Sequence, residues 1–133
     1  MAGITEKPNF IKTSRNNLYV LLSGAESPNP GGLISSSKMK ELIDICNEEF
    51  DYVIIDTPPV GIVSDALLLV SLINGYFIAT RADYSDVHSL SDTIESIKRV
   101  DGQILGIILS STNPKRSQKN YRYKNYSKDY SNK

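Results

Sequence analysis

The sequence predicts an α/β protein built on a parallel sheet with helices on both faces, and three observations carry that prediction. Short apolar runs alternate with segments whose apolar residues recur at three- and four-residue steps. The run Tyr52-Val53-Ile54-Ile55 is apolar on both parities, as a strand covered on both faces of a parallel sheet must be. That run ends on Asp56 and is stopped by Thr57-Pro58-Pro59, because proline cannot continue a ladder. Strand–helix alternation at such spacings makes βαβ crossovers, which lay helices on the sheet.

The elements follow in order. Residues 1–17 are polar and read as irregular. Leu18-Tyr19-Val20-Leu21-Leu22 is a strand candidate closed by Ser23-Gly24. Residues 25–32 are rich in Pro, Gly and Asn and read as a loop. A helix is expected over 35–49, because Met39, Leu42, Ile43, Cys46 and Phe50 form one stripe. Cys46 lies in that stripe and reads as a small core residue. The second strand runs over 52–56, and 60–63 is a loop. Ser64 is placed to cap a helix over 65–73, with Asp65 in its first turn. After the turn Asn74-Gly75 comes a strand over 76–80. Val87, Leu90, Ile94, Ile97 and Val100 mark a further amphipathic helix, ended by Asp101-Gly102, and a last strand covers 104–109.

Bulk properties fit one core: 133 residues leave no room for two. No apolar run is long enough to span a bilayer, and the first residues show no signal peptide. The single cysteine excludes an internal disulfide and a multi-cysteine metal site, so a reducing cytoplasm is the simplest home. The formal net charge is zero, but it is segregated. Ser111 to Lys133 holds seven Lys/Arg and one Asp, a net of +6, which leaves −6 on the preceding residues. The chain is therefore expected to divide into a globular part, 1–110, and a basic tail, 111–133.

Asp56 is the first candidate site residue. A strand that delivers a carboxylate to the carboxyl edge of a parallel sheet puts it where such folds bind ligands. This is the Walker B arrangement, in which the aspartate holds magnesium beside a nucleotide phosphate. The plainer alternative is an aspartate that caps a turn. A Walker B strand works with a glycine-rich loop ending in Lys-Ser/Thr, and the sequence contains no such loop. Gly31-Gly32 has no strand running into it and reads as a turn. Arg81 and Asp83 follow the third strand at the same edge; they are candidates for phosphate contact or simply solvated loop residues. Asp65 is a candidate helper of the metal, with helix capping the alternative. His88 stands alone near a helix start and reads as an exposed helix residue.

The tail differs in kind. From Lys115 to Tyr130 it has no aliphatic residue, so it cannot bury enough surface to order itself. Half of the eight tyrosines, Tyr121, Tyr123, Tyr126 and Tyr130, lie there among basic and small polar residues. Three readings stand side by side. The tyrosines are phosphoacceptors, each phosphate adding nearly two negative charges; or they stack single-stranded nucleic acid bases; or the tail is an inert solvated extension.

Taken together, the strand, the aspartate and the tail resemble the bacterial tyrosine kinases that regulate capsule and exopolysaccharide assembly. The residues that carry the likeness are Phe50-Asp51-Tyr52-Val53-Ile54-Ile55-Asp56-Thr57-Pro58-Pro59-Val60, Ser64-Asp65-Ala66, Leu105-Gly106-Ile107-Ile108-Leu109 and the terminal tyrosine cluster. Leu18 to Gly24 with Pro28-Asn29-Pro30 also looks like the family's segment before Walker B. The Asp-Thr-Pro-Pro strand is shared with MinD/ParA-type ATPases; the tyrosine-rich tail favours the kinases.

The resemblance implies a Rossmann-like P-loop fold of the deviant Walker type. It implies a non-specific protein-tyrosine kinase using Mg-ATP. Asp56 would serve the magnesium through water, with Thr57 and Pro58 beside the nucleotide and Arg81 and Asn113 as further nucleotide contacts. Tyr121, Tyr123, Tyr126 and Tyr130 would be the autophosphorylation cluster, modified in trans within a ring of subunits that phosphorylation disperses. The implied partners are a transmembrane activator or adaptor, which holds the kinase at the inner face of the membrane, and a cognate tyrosine phosphatase. Nucleic acid is not an implied partner. The family's Walker A and A′ segments are missing from this sequence, and Ser110-Ser111 stands where the family often has Leu-Asn. The expectation is therefore a C-terminal portion, a truncated reading frame or a degenerate paralogue, inactive alone and binding no Mg-ATP by itself. The alternative is a non-enzymatic binding module whose basic tail holds nucleic acid or an anionic membrane.

Overall fold

The computed structural model describes residues 8–25, 27–82 and 85–110. The chain falls into two compact units, Met1–Ile55 and Asp56–Lys133.

In the first unit, β1 (Ile11–Lys12) pairs antiparallel with β2 (Tyr19–Val20), Ile11 opposite Val20 and Lys12 opposite Tyr19. This corrects two expectations. The polar start of the chain contributes a strand, and the expected strand over 18–22 shrinks to two residues with a local antiparallel partner. The cause is the turn between them. Asn17 adopts φ 59°, a left-handed conformation that Asn tolerates better than most residues. The Thr13 amide then donates to the Leu18 carbonyl at 3.0 Å.

A short helix, α1 (Pro30–Ile34), replaces the expected loop. Its signal was local: Asn29 caps it, the Oδ1 accepting from the Gly32 amide at 2.9 Å, and Pro30 takes the first turn, where its missing N–H costs nothing. Helix α2 (Ser37–Glu49) matches the predicted stripe and buries Ile43 and Cys46. Ser36 caps it, accepting from the Met39 amide at 3.3 Å. At its end the Phe50 ring meets Phe10 edge-on, centroids 4.9 Å apart, and Tyr19 at 5.5 Å. These rings tie β1 and β2 to the end of the helix, and such pairs add about 0.5–1.5 kcal/mol each beyond area burial.

Residues 52–59 form no strand. The apolar run is present, but a ladder needs a second strand, and no described strand pairs with it.

The second unit holds the parallel pair. β3 (Tyr76–Arg81) and β4 (Ile104–Ser110) run parallel, with Ile78 opposite Ile107 and Arg81 opposite Ser110, and a register irregularity between Tyr76 and Phe77. The crossover is α3 (Val87–Arg99), capped by Asp86, whose Oδ2 accepts from the Ser89 amide. Ile97 of α3 is 1% exposed and anchors this unit with Ala66, Leu69 and Ile78.

The segment predicted as a helix over 65–73 is a 3₁₀ helix, Asp65–Leu69, and Ser64 makes no side-chain cap. The buried pair Ala66 and Leu69 is spaced by three residues, the 3₁₀ period. The turn continues in that form, the Leu72 amide donating to the Leu69 carbonyl at 2.8 Å. The Tyr76 hydroxyl donates to the Ala66 carbonyl at 3.0 Å, fastening this segment to β3. Among the described residues no helix is long and apolar enough to cross a membrane.

Candidate functional site

Asp56 is exposed and sits between the apolar run and the prolines. The chain turns at once behind it: the Pro59 carbonyl accepts from the Ile62 amide at 2.9 Å and the Val63 amide at 3.2 Å. The two prolines fix the backbone entering that turn, so Thr57 and Pro58 set the direction from which Asp56 is presented.

Parallel pairing brings the ends of β3 and β4 together. Arg81 and Ser110 are register partners there. The Ser110 hydroxyl donates to the Thr80 carbonyl at 3.2 Å, and the Ala82 amide donates to the Ser110 carbonyl at 2.9 Å. Ser85 then closes the loop after β3: its hydroxyl accepts from the Arg81 amide and its amide donates to the Arg81 carbonyl, each at 3.0 Å. Arg81 is therefore held at the carboxyl end of a parallel pair, the position that favours ligand contacts. Ser85 is a member of this edge that sequence reasoning missed, and a small polar residue four positions after a strand end gives little signal.

Asp65 lies in the first turn of the 3₁₀ helix, partly buried. His88 is exposed in the first turn of α3. Cys46 is buried, and burial pushes its thiol up from the ordinary value. Asp83, Asn113, Tyr121, Tyr123, Tyr126 and Tyr130 lie outside the described residues.

Among the described residues no three His, Cys, Asp or Glu side chains gather into a metal site. A magnesium ion is commonly held by one or two carboxylates, with waters and substrate phosphates filling its octahedron. Asp56 suits that role. The phosphate half of the site does not fit. Backbone amides must point outward to cradle phosphate, whereas in α1 the Gly32 amide donates to the Asn29 Oδ1 and the Leu33 amide to the Asn29 carbonyl. A Cβ on Gly32 would run into the Asn29 amide group, so the glycine there serves the helix cap.

No family model matches the chain. Individual proteins do. It is 33% identical over 98 residues to tyrosine-protein kinase CpsD of Streptococcus pneumoniae serotype 4, which covers 74% of this chain and 43% of that protein. The chain is a homologue of the bacterial tyrosine kinases. Against CpsD of Streptococcus agalactiae the identity is 34% over 102 residues, covering 77% of this chain and 44% of the relative. The crystal structure of the chimerical protein CapA2B2 superposes with a TM-score of 0.71 at 32% identity, over 75% of this chain and 44% of that one. The chain spans less than half the length of these relatives and corresponds to their C-terminal portion. The parallel β3–α3–β4 unit is thus part of a P-loop kinase fold.

Proposed function

We propose that the chain is the C-terminal part of an ATP-dependent protein-tyrosine kinase that regulates capsular or extracellular polysaccharide synthesis. The observation that carries this reading is the match to tyrosine-protein kinases over three quarters of the chain, at one third identity. Asp56 ends the apolar run that the same reading needs as a Walker B strand.

In this reading Asp56 orients magnesium through a bound water, beside Thr57 and Pro58. Arg81, at the end of β3, and Asn113 contact the nucleotide. Tyr121, Tyr123, Tyr126 and Tyr130 accept phosphate, and each modification adds nearly two negative charges to a tail that starts at +6. Mg-ATP supplies the phosphoryl group in the complete protein. The chain alone holds no nucleotide in line, because catalysis of this transfer is positioning and charge stabilisation by parts that include the phosphate loop. The partners are a transmembrane activator on the cytoplasmic face, neighbouring subunits in a ring, and a phosphatase that resets the tail.

The test is mass-spectrometric mapping of the tail tyrosines after incubation with Mg-ATP, with and without an intact kinase of this type. Phosphate on several tyrosines only when the intact kinase is present is the expected result. Transfer by the chain alone would overturn the inactivity. Four bare tyrosines, together with nucleic acid binding that falls steeply with salt, would replace the kinase reading with that of a binding module.

A further inference from the structure

Strand β4 pairs with β3 along one edge, and among the described residues no strand pairs with the other. Its seven residues carry no charge and no proline. Edge strands are usually short, charged, bulged or broken by proline, because an unpaired row of amides and carbonyls is a template for another strand. Both faces beside this edge are also apolar and open. A Cβ on Gly106 would lie 3.4 Å from the Phe77 ring, which puts Phe77 and Gly106 on one face. Ile108, 52% exposed, follows on that face. Ile107 and Leu109, 50% and 61% exposed, lie on the other.

We propose that the chain's own tail covers this edge: residues 121–126 lie antiparallel along β4 while the tyrosines are bare, and tyrosine phosphate releases them. The release rests on the kinase reading above; the docking does not. Three observations choose this occupant. The tail continues directly from Ser110, so a reversal within 111–120, where Asn113-Pro114 favours a turn, returns it to the edge it has just left. A segment tethered this closely competes at an effective concentration in the millimolar range, which favours it over a second copy. The charges also match. Residues 56–110 hold seven acidic and three basic residues, a net of −4, against +6 on the tail; two copies of 56–110 would bring like charge together. The tyrosines suit the place as well. Tyrosine is a strong strand former, and Tyr121 and Tyr123 share one parity while Tyr126 takes the other, so an extended tail offers rings to both open faces. With no aliphatic residue from Lys115 to Tyr130 the tail cannot order by itself, and a ready-made edge supplies the ladder it lacks. Phosphate reverses these gains. Two phosphates lower the tail from +6 to about +2, and a charged ring does not leave water for an apolar face.

Hydrogen exchange of the full chain at low salt, read by mass spectrometry, tests the docking. Amides of 121–126 and the outward amides of β4 should exchange about tenfold more slowly than in a variant whose Tyr121, Tyr123, Tyr126 and Tyr130 are all Ser. Replacing the same four by Phe keeps the rings and should keep the protection. Unchanged exchange in α3 across these variants separates loss of docking from loss of folding. Protection should not depend on chain concentration and should fall as salt rises. Equal exchange in the unmodified chain and the Ser variant would overturn the proposal. So would protection that appears only on dimerisation, which would give the edge to a second copy. A semisynthetic chain phosphorylated at Tyr121 and Tyr123 should lose the protection; protection that survives would overturn the release. Incubation with an intact tyrosine kinase and Mg-ATP at raised salt, which frees the tail, tests the kinase reading separately. Tyrosines that stay bare there remove that reading and leave the docking, and phosphate on a tail never protected does the reverse.

Discussion

Two isoleucines in predicted buried elements meet opposite fates, and their truncation gives a direct test of the structure. Ile97 is 1% exposed on the inner face of α3. Its Cγ2 lies 2.7 Å and its carbonyl oxygen 2.9 Å from where a Cβ on Gly102 would stand, so it is enclosed at close range. Ile97→Ala removes Cγ1, Cγ2 and Cδ1 from full burial. At about 0.8 kcal/mol per buried carbon the transfer loss is about 2.5 kcal/mol. Incomplete collapse of the cavity raises the total to about 3–4 kcal/mol. Ile54 is 93% exposed, and Ile54→Ala removes the same atoms from water. The expected loss is below about 0.5 kcal/mol, as for other surface truncations. Urea unfolding followed by circular dichroism measures both, with the slope checked for constancy so that a midpoint shift reports stability. Equal losses at the two positions would refute the exposed placement of residues 52–55. A loss at Ile97 under about 1 kcal/mol would refute the close packing of α3 on the parallel pair.

The end of α3 offers a second pair of variants. Asp101 sits at φ 57°, where glycine is the usual residue, so Asp101→Gly should stabilise the chain by about 1 kcal/mol. Gly102→Ala should cost about 1–3 kcal/mol, because its Cβ would stand 2.8 Å from the Tyr76 ring as well as against Ile97; thermal unfolding of each variant decides. Burial raises the Tyr76 phenol above its ordinary value, so the folded state favours the neutral form. That contribution is complete below about pH 10, where the unfolded phenol ionises, and is lost as pH rises through the folded value. Urea midpoints on the alkaline side should fall faster for the wild type than for Tyr76→Phe. Asp56→Asn should leave the urea midpoint within about 0.5 kcal/mol, since an exposed side chain supports no core.

What the sequence made legible follows the range of the interactions involved. Helices α2 and α3 are within a residue or two of the predicted spans because stripe and cap are both local: Ser36 and Asp86 each close their own first turn. The parallel pair was legible through the crossover between its strands. Three elements went the other way. Asn29-Pro30 is a cap and first turn in a segment whose glycines read as a loop. The 3₁₀ helix differs from an α-helix only in whether burial falls at three or four residues, and Ala66 and Leu69 decide that. Ile11–Lys12 became a strand because a left-handed Asn17 folded it onto Tyr19–Val20, which composition does not reveal.

The strand over 52–56 fails for a different reason, and the same reason governs the site. Its residue types demand burial on both faces, yet burial and laddering are properties of a pair. With no described partner, the run leaves Tyr52 and Ile54 bare. Asp56 stood out in the sequence because a carboxylate between an apolar run and two prolines is a local pattern. The role proposed for it is not local, because a magnesium ion held by one carboxylate needs phosphate oxygens to complete its shell, and phosphate needs outward-facing amides.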